Sequence, residues 1–377
     1  MRITETAIPG LLIIDLDVHG DNRGWFKENW QREKFTGLAP ELASFQPVQN
    51  NISYNHAGST RGLHAEPWDK LVSVAQGKIF GAWCDLRKDS ESFGEVVTHE
   101  VGPETAVFVP RGVANGFQAL EETSYCYLVN EHWSAEARYA AVNLNIVDWP
   151  LEPTEISEKD KQHPGLAEVS PMPARRILVT GANGQLGRAL KRLLADAEFC
   201  SHADFDITNP PERNWKQYSA IINCAAYNDV NGAENDRAAA WAVNAEAPAK
   251  LARIAAENQI TLVHVSSDYI FDGTNEVHTE EELPSPLSAY GASKAAGETA
   301  TQTAPQHYVI RTSWVFGDGE NFMSTMRRLA NKGVEPKVIH DQRGRPTFAE
   351  DLAKGIVHLL DSGAEYGVYN LSNSGDT

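Results

Sequence analysis

Cysteine is scarce: four in 377 residues (Cys84, Cys126, Cys200 and Cys224), none in a C-x-x-C pair and three inside apolar runs. That usage excludes a disulfide scaffold and a thiolate zinc site, and reads as reduced core or near-core thiols. Any run of about 18 apolar residues, the length a membrane-crossing helix needs, is also missing. The N-terminus, Met1-Arg2-Ile3-Thr4-Glu5-Thr6, lacks the basic start and apolar stretch of a secretory signal, so the expected location is the cytoplasm. Basic residues are outnumbered, 33 Lys and Arg against 51 Asp and Glu, for a net charge of −18. A polyanion such as DNA would be repelled from most of this surface, so neither nucleic acid nor membrane is an expected partner. A small anionic ligand is not excluded, because a few local cations or helix N-termini suffice to hold it.

What is present divides the chain. The first ~150 residues are rich in short strand signals. Lys70–Val74 and Lys78–Leu86 are apolar runs joined through Gln76-Gly77, which predicts a hairpin. Further runs at Glu95–Thr98, Ala106–Val109 and Ser124–Val129 recur at roughly ten-residue spacing and predict an all-β sandwich or jelly roll. Between Pro150 and Pro173 proline and glutamate dominate and periodicity fades, so a linker is expected at 166–173. Beyond it strands and helices alternate. Ile177-Leu178-Val179 precedes a helix with Leu186, Leu190, Leu193 and Leu194 on one face. Ile221–Cys224, an Ala-rich helix around 238–256, and Thr261–Val265 follow. Alternation of this kind predicts a parallel, doubly wound sheet. The expected domains are 1–165 and 174–377.

Two constellations in the second domain carry chemistry. Gly181-Ala182-Asn183-Gly184-Gln185-Leu186-Gly187 follows a strand and opens a helix. Gly181 permits the tight turn, Gly184 lets backbone approach a pyrophosphate, and Gly187 lets helix and sheet pack closely. The bland alternative is a tight βα turn with no ligand. Further on, Tyr290-Gly291-Ala292-Ser293-Lys294 places a phenol and an ammonium at i and i+4 on one helix face. The cation is expected to lower the tyrosine pKa toward neutrality, and the phenol to protonate a carbonyl oxygen that receives hydride. In the first domain, His64, Lys70 and a strand tyrosine could serve as base, enolate stabiliser and acid for epimerisation beside a ketone. A lone histidine, however, is more often a structural hydrogen-bonder.

Longer motifs sharpen both readings. Val263-His264-Val265-Ser266-Ser267-Asp268-Tyr269-Ile270-Phe271-Asp272-Gly273, Arg311–Gly317 (RTSWVFG) and Asp341–Thr347 (DQRGRPT) make residues ~174–377 resemble the extended short-chain dehydrogenase/reductases, and within them dTDP-4-dehydrorhamnose reductase. The resemblance implies that Ser267 hydrogen-bonds the reacting carbonyl, Tyr290 is the acid, and Lys294 supports it while holding the nicotinamide ribose. Gly181, Asn183, Gly184, Gln185, Leu186, Gly187, Asn223, Ala225 and Ala226 would line the cofactor. Phe199–Asp206 offers no residue for the ribose 2′ position, so NADPH and NADH both stand. The family's reductases continue past the equivalent of Thr377 with more of their substrate lobe.

Residues ~1–165 resemble dTDP-4-dehydrorhamnose 3,5-epimerase, a cupin jelly roll. The matches include Gly20–Glu28, Val48–Asn51, Arg61-Gly62-Leu63-His64, Lys70-Leu71-Val72, Val109–Gly112, Asp148-Trp149-Pro150 and Ile156–Asp160. By this resemblance His64 is the base, Asp160 orients it, Lys70 stabilises the enolate and Tyr127 is the acid. Arg23 and Arg61 would face diphosphate and sugar, and Phe26, Glu28, Gln49 and Asn51 would seat the nucleotide and sugar. No metal is expected, and a homodimer through the cupin domain is. Three departures stand out: Asn115 where the family has His, Trp133 where Tyr is expected, and a short loop from His64 to Lys70. The leading expectation is a bifunctional enzyme that epimerises dTDP-4-dehydro-6-deoxy-D-glucose and reduces its 4-keto group. The alternatives are a reductase whose first domain is non-catalytic or acts at one carbon, and a non-catalytic NADP-binding regulatory protein. Deuterium uptake without cofactor separates the first from the second; the intact Ser267, Tyr290 and Lys294 argue against the third.

Overall fold

The computed structural model describes residues 1–375 except 44, 136, 320, 337–341 and 343. Asp341 and Arg343 of the last reductase motif therefore lie outside the described residues. The chain divides into two compact units, Met1–Ala174 and Arg175–Thr377.

The first unit is a sandwich of antiparallel sheets, the jelly-roll architecture expected. Its strands are β1 (Arg2–Glu5), β2 (Leu12–Asp15), β3 (Val18–Asp21), β4 (Gly24–Lys27), β5 (Gln49–Asn55), β6 (Thr60–Ala65), β7 (Lys70–Gln76), β8 (Ile79–Asp85), β9 (Val96–Val101), β10 (Thr105–Val109), β11 (Val113–Ala119), β12 (Thr123–Val129) and β13 (Ala140–Ala141). One sheet runs β1-β2-β10-β7-β12-β5 and the other β13-β6-β11-β8-β9, while β3 and β4 form a separate ribbon. Val72, Val74, Val107 and Val109 of the first sheet meet Trp83, Val113 and Phe117 of the second. The outer face of the first sheet is also covered, by Phe35, Leu42 and Phe45 packed on Leu71 and Phe108. Leu144, Val147 and Met172 cover the second sheet over Leu63, Ala82 and Cys84.

This double burial corrects the expected hairpin. β7 and β8 do not pair; β7 lies between β10 and β12, and β8 between β11 and β9. Strands buried on both faces carry continuous apolar runs, which look alike whether or not they are neighbours. Gly77, at φ +83°, turns the chain between sheets, and a Cβ there would lie 2.4 Å from the Glu122 carbonyl oxygen. The stretch read as a linker packs on the first unit instead. Met172 is 1% exposed and its backbone bonds both Leu86 and Lys88. Leu166, Val169 and Met172, three apart, give that stretch an apolar face to bury.

The second unit has the expected parallel sheet, ordered β15-β14-β16-β17-β18-β21. These strands are β14 (Arg176–Thr180), β15 (Glu198–Cys200), β16 (Tyr218–Asn223), β17 (Thr261–Val265), β18 (His307–Arg311) and β21 (Gly367–Asn370); a small pair, β19 (Val315–Phe316) and β20 (Thr347–Phe348), stands apart. The strand order reverses between β14 and β16, the switch point where such sheets open a crevice. The helix Gln185–Leu193 buries Leu186, Ala189 and Leu190, whereas Leu193 is exposed. The Ala-rich segment is not one regular helix, because a π turn at Ala242–Glu246 interrupts it. All four cysteines are free thiols.

Two candidate active sites

In the first unit a cavity of about 690 Å³ opens between β6, β7, β11 and β12. His64, on β6, stands at its wall with its side chain 39% exposed, and its Nε2 lies 2.8 Å from Asp160 Oδ1. Asp160 sits on the helical turn Glu158–Lys161, whose N-cap Ser157 accepts from the Asp160 N–H at 3.1 Å. Gly62 N–H donates to Asp160 Oδ2 at 3.2 Å. Burial alone would raise the Asp160 pKa, but the hydrogen bond and charge of His64, with the Gly62 and Ser157 contacts, hold it below the usual carboxylate value.

Across the cavity, Lys70 begins β7 and Tyr127 lies diagonal to it on β12, where Val129 is opposite Lys70 and Tyr127 opposite Val72. The Lys70 ammonium lies 4.8 Å from the Tyr127 ring centroid and pairs with Glu66. Burial, reinforced by Glu66 and opposed by Arg61, raises the Tyr127 pKa, so the phenol holds its proton at neutral pH. Asn115 is opposite His64 in the β11–β6 register. Its side chain is committed, accepting from Trp83 Nε1 at 2.9 Å and donating to Tyr125 Oη at 3.1 Å.

Asn51 and Arg61 line the same cavity; Gln49 is one step outside it and donates to Asn51 Oδ1 at 2.9 Å. Arg23, Phe26 and Glu28 are not brought there. Arg23 and Phe26 belong to the β3–β4 ribbon, Arg23 pairing with Asp21 and Phe26 64% exposed, while Glu28 just beyond it pairs with Lys34. Trp133 is 66% exposed. Sequence reasoning missed Glu66, although its i, i+4 spacing to Lys70 was visible. It also missed His163, whose only signal was its position three residues after Asp160.

In the second unit a cavity of about 380 Å³ lies at the carboxyl ends of the strands. Gly184, Gln185, Leu186, Gly187 and Ala226 form one side and Ser267, Tyr290 and Lys294 the other. Gly181 adopts φ +69°, and a Cβ on it would lie 2.7 Å from Ala225 N; one on Gly187 would lie 2.5 Å from Gly181 O. No side chain caps the helix Gln185–Leu193, so its first N–H groups are free to meet an anion. Asn183 and Ala225 are near the turn but not at the cavity wall. The Asn223 side chain points into the core, accepting from Thr180 Oγ1 at 2.7 Å and meeting His264 Nδ1 at 3.1 Å.

Tyr290 is hydrogen-bonded to Ser267, yet its pKa is pushed up, to about 12, chiefly by burial. This corrects the expected lowering. Lys294 is not among the groups that shift the phenol; its Nζ donates to the Val265 carbonyl at 2.6 Å. Burial moves Lys294 itself down to about 8, against the pull of Glu298 and Cys224. Asp268, also in the cavity and not anticipated, accepts from Ser313 Oγ at 2.6 Å. Burial nonetheless raises its pKa.

A base–carboxylate pair facing an ammonium and a phenol defines an acid–base isomerase on a jelly roll. A serine–tyrosine–lysine set beside an open helix N-terminus defines a dinucleotide-dependent oxidoreductase. The chain belongs to both matching families: its residues 5–168 match the dTDP-4-dehydrorhamnose 3,5-epimerase model, and residues 175–377 match the RmlD substrate binding domain. A Streptococcus pyogenes protein named as an RmlC homolog is 50% identical over 176 residues, 44% of this chain and 89% of that protein. The dTDP-4-dehydrorhamnose reductase of Mycobacterium tuberculosis is 40% identical over 216 residues, 54% of this chain and 71% of that protein. A solved dTDP-4-dehydrorhamnose reductase of Bacillus anthracis, in complex with NADP, is 35% identical, covers 54% of this chain and 76% of its own, and superposes with a TM-score of 0.49. An epimerase-family and a reductase-family unit of one sugar-nucleotide route thus share a single polypeptide. Among the described residues no helix is long and apolar enough to cross a membrane.

Proposed function

We propose that this chain carries out two consecutive steps, epimerisation of dTDP-4-dehydro-6-deoxy-D-glucose at C3 and C5, then reduction of the 4-keto group to give dTDP-L-rhamnose. The observation that carries the reading is the presence, in one chain, of the 2.8 Å His64–Asp160 pair opposite Lys70 and Tyr127, and of Tyr290 beside Ser267 and Lys294. In the first step His64 takes the proton from a carbon next to the ketone. Its Nε2 is held by Asp160, so Nδ1 is the nitrogen left for this. The carboxylate stabilises the imidazolium that forms, and the Lys70 ammonium stabilises the enolate oxygen. Tyr127 returns a proton to the opposite face, which inverts the carbon. Arg61 and Asn51 hold the sugar nucleotide.

For the second step the Gly181–Gly187 turn would hold the pyrophosphate of NADPH or NADH, which when bound would supply the hydride that C4 needs. Ser267 positions the carbonyl, Tyr290 gives its proton to the oxygen as the alcohol forms, and Lys294 holds the ribose. A tyrosine with a raised pKa is protonated across the working range and ready to donate.

A homodimer through the first unit belongs to the same proposal. β5 is an edge strand of its sheet, with Ile52 and Tyr54 exposed on it and Val48 exposed just before it, and the β3–β4 ribbon exposes Trp25 and Phe26. Free edges and large exposed apolar groups are what a second copy would cover.

The test is deuterium exchange. Incubated with the keto sugar in deuterated water without cofactor, the protein should label C3 and C5. Consumption of NADPH with no label at either carbon would leave a reductase with an inert first domain.

A further inference from the structure

Three side chains at and just behind the wall of the first cavity meet in a way that proton abstraction does not require. His163 packs edge-on against His64, ring centroids 5.0 Å apart at 80°. Its Nε2 lies 3.8 Å from Asp160 Oδ1, the same oxygen that receives His64 Nε2 at 2.8 Å. The His163 side chain is 8% exposed and does not line the cavity, and its Nδ1 has no hydrogen-bond partner. One carboxylate oxygen therefore faces two imidazole nitrogens, one of them on a buried ring.

We propose that His64, Asp160 and His163 form a binding site for a borderline transition-metal dication such as Zn²⁺, and that its occupancy competes with the use of His64 as a base, because a dication on Nε2 lowers the proton affinity of Nδ1. The competition, unlike the binding, rests on the epimerase reading given above. Two imidazoles and one carboxylate are the donors that Zn²⁺ takes in open three-ligand sites, whereas Mg²⁺ and Ca²⁺ prefer all-oxygen sets. The three ligand atoms already lie within 4.8 Å of one another. Ligands about 2.0–2.1 Å from a tetrahedral ion are about 3.3 Å apart, and the two separations to Asp160 fall on either side of that. Gly62 N–H holds the other carboxylate oxygen and so keeps Oδ1 aimed at the rings. The fourth position would open toward the cavity wall that His64 forms.

Zinc binding to the full-length protein is measured by competition with a chromophoric chelator, alongside deuterium exchange into the keto sugar at rising Zn²⁺. The native protein should withhold one equivalent that His163→Gln holds more than about 100-fold more weakly, a greater loss than the roughly 10–100-fold that an outer-shell partner's removal usually causes. Exchange in the native protein should be inhibited by Zn²⁺ and restored by chelator. His163→Gln should exchange without zinc and resist inhibition by about 100-fold more metal. Because the variant side chain is buried, the circular dichroism and melting of His163→Gln, and of His163→Asn beside it, are read first. Equal retention by native and folded variant protein, or none by the native protein, overturns the site. Retained zinc with undiminished exchange overturns the competition alone. Retained zinc in a protein that never exchanges, even after chelation, tells against the epimerase reading and not against the site.

Discussion

His64 and Tyr290 move protons in opposite senses, one accepting from carbon and one giving to oxygen, so each should fail alone. His64→Ala should lower exchange by at least about 10²-fold while a pre-epimerised sugar is still reduced, and Tyr290→Phe should do the reverse. Following both activities by mass spectrometry and NADPH absorbance checks this; loss of both activities from either change in a folded protein contradicts it. Lys294 adds a pH dependence. Its folded pKa, about 8, lies below the usual 10.5, so its charge is present below pH 8 and lost as pH rises through that value. The kcat/KM for reduction should fall above about pH 8, and a profile flat to pH 10 would tell against the role given to Lys294. At this scale the sequence was informative where chemistry depends on residue type and short spacing: His64, Lys70, Asp160, Ser267, Tyr290 and Lys294 each stand at a cavity. It was uninformative where the partner comes from elsewhere. The i, i+4 spacing puts Lys294 on the same helix face as Tyr290, but only the fold brings the Val265 carbonyl to its ammonium.

The turn between β14 and the helix Gln185–Leu193 is the element on which reduction depends. Gly181→Ala would place a Cβ at φ +69° and 2.7 Å from Ala225 N, costing about 1–3 kcal/mol and displacing the turn. NADPH titration followed by fluorescence should show weakened binding, with deuterium exchange unaffected; unchanged NADPH affinity would contradict the assignment of this turn. The end of β8 makes a different prediction. Asp85 is fully buried, and although burial would raise its pKa, hydrogen bonds from Arg87, Ser92 and Ser90 bring it down to about 2. A carboxylate with a depressed folded pKa contributes stability above its unfolded value, near 3.9, and loses it as pH falls toward 2. That contribution is about 2 kcal/mol. Thermal unfolding from pH 6 to pH 2 should show a shallower acid slope for Asp85→Asn than for the native protein, and parallel slopes would refute it. Element type was legible in the sequence, but β7 and β8 show that pairing was not. Continuous apolar runs mark strands covered on both faces without saying which neighbour each takes, and the turn at Gly77 looks the same whether it closes a hairpin or crosses between sheets.

For the whole molecule, the change from clustered strands to alternating strand and helix was enough to read two folds, because the periodicities differ. The assembly was not legible that way. Arg23, Phe26 and Glu28 stand on or beside an exposed ribbon and do not line the cavity of the first unit. Sedimentation should find a dimer in the native protein and a monomer when Val48→Lys and Tyr54→Lys are combined on the β5 edge; a monomeric native protein would remove the proposed homodimer. The central claim, two proton-handling centres serving one sugar in succession, is tested most directly by the isotopic content of the finished product. Keto sugar and NADPH turned over by this chain alone in deuterated water should give a reduced sugar bearing deuterium at C3 and C5. Reduced product with hydrogen retained at both carbons would contradict the account.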